Sequence, residues 1–401
     1  MYLHHMAQGF FVRLLLPISL VLMGSQSWAQ CDGARYRYRI FEEIIVDTDV
    51  LYGANVGASG ANEELRMDIY RPANDGEEER PLVILAHGGF FLAGSKDGTD
   101  VVPLCEDLAR MGYVAVSISY RLGIDNFFDL ETSLLEAVLR GVHDAKAAIR
   151  FFRESHALDG NPWGIDPQRV VLGGSSAGAF IALHSAYIDD LAEVPDVIDL
   201  TQPGLQGGLE GESGHPGYPS DVLSIINISG ALGNADWMEP GDAGIVSTHG
   251  TQDNVVPFGT GMVQLLGLNV TQVDGSWPIH IQAEEVGVPH AFTALEGEGH
   301  VPHMTDAQAY DVTRAAVMSF TSQQVCPQYP SIPAYYDVDA PPAVGCSGDL
   351  SLDGTVAVED LLLLLADFGC GSFCSSDLNA DGAVTVTDVL VLLGVFGTPC
   401  G

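Results

Sequence analysis

One pentapeptide has the composition of a turn that carries a nucleophile. Residues 174–178 read Gly-Ser-Ser-Ala-Gly, with Ser176 at the centre, and the pattern Gly-X-Ser-X-Gly occurs once in the sequence. The glycines allow a sharp strand-to-helix turn in which no side chain crowds the serine. A serine hydroxyl at such a turn is a candidate nucleophile for acyl transfer. The dipole of the following helix favours the negative charge of a tetrahedral intermediate.

A serine nucleophile needs a base and a carboxylate that orients the base, and both follow downstream. Asp253 comes after an apolar run that ends at Thr248, which predicts a loop at the carboxyl end of a strand. His300 lies in a glycine-flanked loop, so its imidazole could reach the serine. We predict Ser176, His300 and Asp253 as a catalytic triad. His303 is the rival base, and the rival carboxylates are Asp236, Asp242 and Asp274.

A third set of residues could stabilise an oxyanion. Residues 87–90 read His-Gly-Gly-Phe directly after an apolar run, and small residues there let backbone N–H groups approach a substrate. We predict N–H donors from this loop and from the residue after the serine, namely Gly88, Gly89, Phe90 and Ala177. Which N–H of the loop points inward stays open. Trp237 either lines the alcohol or aryl side of a substrate site or packs in the core. We expect no cofactor for this chemistry.

A second pattern with chemical meaning is repeated near the C-terminus. Residues 349–360 and 377–388 share one twelve-residue pattern, and a leucine- or valine-rich helix follows each copy. Oxygens at positions 1, 3 and 5, glycine at 6 and a carboxylate at 12 suit Ca²⁺, which prefers hard oxygen ligands. The predicted ligands are the side chains of Asp349, Ser351, Asp353, Asp360, Asp377, Asn379, Asp381 and Asp388, with the carbonyl oxygens of Thr355 and Ala383.

The stretch that carries the triad alternates apolar runs with helix-like segments. We predict strands at 81–86, 113–119, 169–172, 225–228, 244–248 and 279–283, and helices at 134–154, 180–187 and 306–323. Such alternation is typical of a mostly parallel sheet with flanking helices. The predicted class is therefore α/β, with a small all-α module at the C-terminus.

The chain divides into five predicted parts. They are a signal peptide at 1–29, an α/β catalytic domain at 30–326, a long acidic insertion within it at 189–220, a proline-rich linker at 327–345 and the calcium-loop repeat at 346–401. Loops as long as the insertion are usually functional or disordered. The insertion could therefore cover a substrate, or it could be a surface excursion.

Export is predicted from the N-terminus and from the cysteines. Arg13 precedes an apolar run at 14–23, which is the order found in a secretory signal, and that run is too short to span a bilayer. Seven cysteines suit an oxidising compartment. A bond between Cys31 and Cys326 would join the two ends of the main domain. We expect a secreted protein, either free or attached to a cell surface or a multi-enzyme assembly.

The charge balance excludes some partners. The chain carries 53 acidic and 16 basic residues, for a net charge of −37. Such a negative field repels nucleic acid and anionic membranes, and it favours solubility. We therefore expect neither as a partner, and we expect a salt-exposed extracellular setting.

Five motifs together resemble the carboxylesterase/lipase group of α/β-hydrolases. They are His-Gly-Gly-Phe at 87–90, Ser-Tyr-Arg-Leu at 119–122, Trp-Gly-Ile-Asp-Pro-Gln-Arg at 163–169, Gly-Gly-Ser-Ser-Ala-Gly-Ala at 173–179 and His-Gly-Thr-Gln-Asp at 249–253. In style they are most similar to the hormone-sensitive-lipase-like branch and to the feruloyl or acetyl-xylan esterase branches. The resemblance implies an α/β-hydrolase fold, an ester substrate and an acyl-enzyme on Ser176. Phe90 stands where many relatives have a third glycine, which suggests a crowded acyl side.

The C-terminal repeat resembles a dockerin module. This resemblance implies a cohesin-like protein as partner, bound through residues 346–401, and a calcium-stabilised stalk is the alternative. Two functions of different class follow for the whole chain. The first is a secreted serine carboxylesterase that acts on polysaccharide-linked acyl groups or on aromatic, polyester-like esters. The alternative is a non-catalytic, calcium-dependent display or adhesion protein on a hydrolase scaffold.

Overall fold

A computed structural model describes residues 31, 33–124, 126–265, 267–329, 348–351, 355–369, 376, 378 and 383–397. The strands are β1 (Ile44–Val56), β2 (Asn62–Pro72), β3 (Arg80–Ala86), β4 (Val114–Ile118), β5 (Ile165–Ser175), β6 (Ser224–Ile228), β7 (Gly244–Gly250), β8 (Thr260–Leu265), β9 (Leu268–Asp274) and β10 (His290–Leu295). The helices are α1 (Val102–Arg110), α2 (Leu130–Leu158), α3 (Ala177–Tyr187), α4 (Ser276–Val286), α5 (Ala307–Val325), α6 (Val358–Ala366) and α7 (Val386–Gly394).

Eight strands form one mixed sheet in the order β1-β2-β4-β3-β5-β6-β7-β10. The pairs β1–β2 and β2–β4 are antiparallel, and the pairs from β4 to β10 across the sheet are parallel. Parallel strands need crossover connections, which the helices supply. The carboxyl ends of the parallel strands therefore meet at one edge, where the loops after β3, β5, β7 and β10 come together.

Helices cover both faces of the sheet. In β3, Leu82 and Ile84 pack in the same core as α2 and α3, whereas Val83 and Leu85 pack in a second core with α1 and α5. All four side chains are at most 1% exposed. Burial on both faces explains why the strand is an uninterrupted apolar run rather than an alternating one.

Most predicted elements are confirmed, and one is wrong. The run at 279–283 was expected to be a strand, but it lies inside α4, and the final strand is β10. Ile279 and Ala283 are both fully buried and lie one helical turn apart, so the run is one buried helical face. Short apolar runs are ambiguous between the two structures. Strands β1 and β2 and the separate hairpin β8–β9 were not predicted.

A disulfide joins the two ends of the main domain. Cys31 and Cys326 are bonded across 295 positions, as predicted from the sequence, and Cys105 is a free, buried thiol. The four other cysteines lie outside the described residues, as do the predicted signal peptide and residues 330–347. No described helix is both long enough and apolar enough to cross a membrane.

The predicted insertion packs against the main domain. Val194, Ile198 and Leu205 form a small buried cluster with Leu139 of α2. Near the C-terminus, α6 and α7 contact each other around a separate small core. Its members are equivalent in the two halves of the repeat, namely Val356, Leu364, Val384 and Leu392.

Candidate active site

Ser176 lies at a strained turn between β5 and α3. Its φ is 52° and its ψ is −115°, a conformation that non-glycine residues rarely adopt. A Cβ on Gly174 would lie 2.4 Å from the carbonyl carbon of Gly178, and one on Gly178 would lie 1.9 Å from the Ala86 oxygen. The two glycines are therefore required by close backbone approach, as the motif predicts. The Ser176 N–H donates to the carbonyl of Ile228 at 2.8 Å, which fixes the turn to β6.

The structure brings Ser176, His300 and Asp253 together in one hydrogen-bonded chain. Ser176 Oγ lies 2.8 Å from His300 Nε2, and His300 Nδ1 lies 2.6 Å from Asp253 Oδ2. With Nδ1–H donating to the carboxylate, Nε2 is free to accept the serine proton. The three residues come from the loops that follow β5, β7 and β10, so the parallel sheet supplies their proximity.

The Asp253 carboxylate is held in its charged form. Its side chain is buried, and burial alone would raise its pKa. Hydrogen bonds from His249 and His300 and the N–H groups of Val255 and Val256 more than offset that effect, so the pKa lies well below its ordinary value. A carboxylate that stays ionised is suited to orienting an imidazole.

His249 supports this carboxylate, which the sequence analysis did not predict. Its Nε2 lies 3.3 Å from Asp253 Oδ2, and Ser276 Oγ lies 2.9 Å from its Nδ1. The residue is fully buried. The signal was present, because His249 and Asp253 stand at opposite ends of the motif at 249–253, which begins in the last two residues of β7 and continues into the loop after it.

The rival residues have other contacts. His303 is buried, its Nε2 lies 3.3 Å from the carbonyl of Asp100, and its Nδ1 has no hydrogen-bond partner among the described residues, so it is not hydrogen-bonded to Ser176. Asp274 accepts from the Ala235 N–H at 2.9 Å, and Asp242 accepts from the Glu239 N–H at 2.7 Å. Asp236 is exposed and lies in a short 3-10 turn.

The predicted oxyanion loop contacts the serine, with one correction. A Cβ on Gly88 would lie 3.3 Å from Ser176 Cβ, so the loop is adjacent to the nucleophile. However, the Gly88 N–H donates to Asp100 Oδ2 at 2.6 Å. That bond removes Gly88 from the donor set, because a committed N–H cannot also stabilise an oxyanion. Asp100 was not predicted from the sequence.

Three donors of the predicted set remain. Among the hydrogen bonds of the described residues, none has the N–H of Gly89, Phe90 or Ala177 as its donor. Ala177 is the first residue of α3, where backbone N–H groups have no partner within the helix. Gly89 and Phe90 have φ values of 114° and 58°. This left-handed pair turns the loop sharply after β3, beside the serine.

The cavity at Ser176 is small and apolar. Its volume is about 10 Å³. The residues that line it are Phe90, Phe91, Leu134, Ser176, Ala177, Phe180, Val256 and Val263. A space of this size holds about one water-sized group. Trp237 does not line this cavity, and it lines a separate, larger one.

Six of the ten predicted calcium ligands lie among the described residues. Asp353, Asp377, Asn379 and Asp381 lie outside them, whereas Asp349, Ser351, Thr355, Asp360, Ala383 and Asp388 lie within. No cluster of three or more His, Cys, Asp or Glu side chains suited to a metal occurs among the described residues.

The two position-12 carboxylates have the same contacts in both halves of the repeat. Asp360 accepts from the N–H groups of Ser351 and Ala357, at 2.7 and 2.6 Å, and Asp388 accepts from those of Leu378 and Thr385, at 2.9 and 2.8 Å. Both carboxylates are fully buried. Each carboxylate therefore already has two backbone N–H partners, and its oxygens are of the hard type that Ca²⁺ prefers.

Comparisons with known proteins find similarity over part of the chain. Residues 67–206 match the BD-FAE family model, a segment that includes Ser176 and the 87–90 loop but neither Asp253 nor His300. Carboxylesterase 3B of Mus musculus is 34% identical over 118 residues, which are 29% of this chain and 19% of the mouse protein. The polyketide synthase pkbA of Emericella nidulans is 35% identical over 137 residues, which are 33% of this chain and 5% of the synthase.

A solved structure resembles a larger share of the chain. Thermogutta terrifontis esterase 2 phosphoramylated by tabun matches with a TM-score of 0.47 and 22% identity, over 70% of this chain and 94% of that protein. The chain spans less than a fifth of the two curated relatives. Over the segment that carries the serine, the chain is similar to the BD-FAE family model and to a carboxylesterase.

Proposed function

We propose that the chain is a serine carboxylic-ester hydrolase. One observation carries the proposal, namely the continuous chain from Ser176 Oγ through His300 to the Asp253 carboxylate, at 2.8 and 2.6 Å. The similarity to esterases and lipases around the serine supports it. The alternative, a display protein on a retired scaffold, provides no reason to keep this alignment at a strained turn.

The geometry suits acyl transfer in two steps, in which Ser176 is first acylated and the acyl-enzyme is then hydrolysed. Ser176 Oγ attacks the ester carbonyl while His300 Nε2 takes the serine proton, and the alcohol leaves with that proton. Water then attacks the acyl-enzyme, His300 again acts as base, and the acid is released. The N–H groups of Gly89, Phe90 and Ala177 are the candidate donors to the developing oxyanion. Asp253 keeps the imidazole in the reactive tautomer.

The size of the cavity at Ser176 favours a short acyl group. The space of about 10 Å³ suits the methyl of an acetyl ester, and a long acyl chain would collide with Phe90, Leu134 and Phe180. An acetyl group carried by a polysaccharide fits this limit, because its large part is the alcohol. We propose an extracellular acetyl ester of this kind as the substrate class.

The remaining proposals concern the tail and the location. The buried pair Asp360 and Asp388 supports Ca²⁺ in each loop of the repeat, where the ion would hold the loop to the following helix. We propose that this module attaches a secreted enzyme to a cohesin-like partner. The disulfide between Cys31 and Cys326 supports an oxidising compartment.

The hydrolase proposal is tested with p-nitrophenyl acetate. Ser176→Ala should lower kcat by at least about 10³-fold, because the nucleophile is lost. Ser175→Ala is the matched control, since the Ser175 hydroxyl is buried and none of the described residues hydrogen-bonds to it. The control should keep wild-type activity to within a few-fold. Equal activity in Ser176→Ala and in the wild type, or none in the wild type, would contradict the proposal.

A further inference from the structure

A second cavity lies between α2, α3 and the segment 191–209, where no function has been assigned above. Its volume is about 390 Å³, which lies within the range of small-molecule sites. Its walls are mostly apolar, and they include Leu135, Val138, Leu139, Val194, Ile198 and Trp237.

This cavity is distinct from the one at Ser176. No residue lines both. Phe180 lines the serine's cavity and His184 lines the second one, and their rings stack at 6.0 Å with 7° between the planes. The two residues lie one turn apart on α3. A stacked pair of rings therefore stands between the two spaces.

The segment 191–209 forms the roof of the second cavity. Buried polar side chains of the main domain hold the second half of this roof and the residue after it. Arg121 donates to the carbonyl of Gly204 at 2.8 Å, Arg150 donates to that of Glu210 at 2.9 Å, and His143 Nε2 lies 2.8 Å from that of Gly208. The three side chains are at most 4% exposed. Breaking such bonds would leave buried polar groups without partners. These bonds anchor the second half of the segment, and Val194 and Ile198 of its first half pack in a buried cluster with Leu139, so the cavity is formed without closure of a lid.

The charges around the cavity disfavour an anionic ligand, and its mostly apolar walls favour an uncharged one. Lys146 is the one cationic side chain in its lining, and its Nζ is paired with Glu210 at 3.2 Å. Glu131 also lines the cavity, and the net charge of −37 repels anions generally. Burial lowers the pKa of His184 to about 4, so this ring is neutral at pH 7.

The wall also offers aromatic contacts. The rings of His184 and Trp237 meet edge to face, with centroids 5.9 Å apart. His184 has both nitrogens occupied, because Nδ1 lies 2.8 Å from the Phe180 carbonyl and the Gly233 N–H donates to Nε2 at 3.2 Å. It therefore offers a ring face or edge rather than a hydrogen bond. Offset and edge-to-face ring pairs are favourable beyond the area that they bury.

We propose that this cavity is a second binding site, for an uncharged aromatic molecule of one or two rings, and that it binds independently of Ser176. A dry apolar cavity of about 150 Å³ is enough for benzene, so the larger space here has room for a second ring.

Titration with N-phenyl-1-naphthylamine, a neutral dye that fluoresces in apolar surroundings, tests the site. We expect saturable binding of one dye per chain, unchanged in Ser176→Ala. Leu135→Trp should weaken the affinity at least tenfold, because the added rings occupy the cavity. Leu158→Trp adds the same bulk at an exposed position of α2 outside the cavity lining, and it should change the affinity less than twofold. Energy transfer from Trp237 to the dye should disappear in Trp237→Phe and persist in Trp277→Phe.

Three results would overturn the proposal. They are the absence of saturable binding, full affinity in Leu135→Trp, and displacement of the dye when a phosphonate labels Ser176. Val197→Trp repeats the blocking test from the roof, where Val197 is 52% exposed and tolerates bulk, in case Leu135→Trp does not fold. The outcome is separate from the hydrolase proposal, because p-nitrophenyl acetate turnover is measured in parallel on the same samples.

Discussion

At the residue scale, the triad depends on several interactions, and only some of them can be predicted from the sequence. Ser176 was predictable because two glycines with specific steric roles flank it. The partners of Asp253 were harder to see, since His249 acts through a hydrogen bond that only the fold reveals. The hydrogen bond from the Gly88 N–H to Asp100 was also hidden, because the two residues lie twelve positions apart in the loop between β3 and α1. Residue types predict candidates for chemistry, whereas hydrogen-bond partners decide which candidates remain available.

Replacement of the triad carboxylate should disturb the alignment of the His300 imidazole without weakening substrate binding. Asp253→Asn should lower kcat for p-nitrophenyl acetate by about 10³–10⁴-fold with little change in KM, because the amide favours the wrong imidazole tautomer. The control is Asp236→Asn, an exposed carboxylate outside the triad. A loss shared by both variants, or a change confined to KM, would count against the assignment.

The low pKa of Asp253 predicts that the stability of the fold depends on pH, and Asp253→Asn tests this dependence. Since the pKa of Asp253 is lower in the folded chain than in the unfolded one, ionised Asp253 stabilises the fold above about pH 4, the ordinary pKa of an aspartate. That contribution is lost as the pH falls towards the folded-state value. We expect Asp253→Asn to lower Tm at pH 7, and the difference from wild type to shrink below pH 4. A difference in Tm that is constant from pH 7 to pH 3 would contradict this origin.

Asp100 is expected to act as a positioning residue for the oxyanion loop. Asp100→Ala removes the acceptor of the Gly88 N–H, and a small displacement of the loop should lower kcat by about 10²-fold. Asp100→Asn keeps an acceptor oxygen and should restore most of kcat. If either variant folds poorly, the fraction of active enzyme falls instead. Titration with a serine-reactive phosphonate measures that fraction, so kcat can be calculated per active site. Equal kcat values in the two variants would show that the acceptor is not needed.

At the element scale, the central parallel strands of the sheet can be predicted from the sequence, whereas the strands β1 and β2 towards its edge cannot. Strands β3, β4, β6 and β7 and the second half of β5 are buried and largely apolar, so composition alone locates them. The run inside α4 has the same composition and is helical, because Ile279 and Ala283 share one buried face. Neither β1 nor β2 is a continuous apolar run, and the partly exposed β1 stands at the edge of the sheet. The pairing of edge strands depends on neighbours that the local sequence does not specify.

Helix α3 carries a residue that should limit acyl length. Phe180→Ala removes the ring that lines the serine's cavity and stacks on His184, so the acyl side should open towards the second cavity. We expect the ratio of kcat/KM for p-nitrophenyl octanoate to that for the acetate to rise at least tenfold. Phe180→Leu is the matched control, because it keeps most of the bulk. The substitution to Ala should also cost about 3–5 kcal/mol of stability, so Tm is measured beside the rates. An unchanged ratio in a folded variant would exclude this role.

At the scale of the whole molecule, the hydrolase and the C-terminal repeat should respond to different perturbations. The proposed triad mechanism uses no metal, whereas the calcium proposal for the repeat rests on the buried carboxylates of Asp360 and Asp388. Chelation by EDTA should therefore leave p-nitrophenyl acetate hydrolysis within twofold of its starting rate. It should also remove a calcium-dependent unfolding transition of the repeat, because structural ions bind the folded state alone and stabilise it by mass action.

Calorimetry assigns that transition to the repeat. Wild-type protein stripped of calcium should bind Ca²⁺ at two sites, one for each loop. Asp360→Ala and Asp388→Ala should each remove one, and Glu359→Ala, which changes the neighbouring carboxylate, should keep both. The equivalence of the two loops follows from their matching contacts, so one variant that abolished both sites would imply cooperative folding of the module. Binding that survived in the double variant Asp360→Ala/Asp388→Ala would place the ion elsewhere. Loss of hydrolysis on chelation would show that the catalytic domain depends on the metal as well.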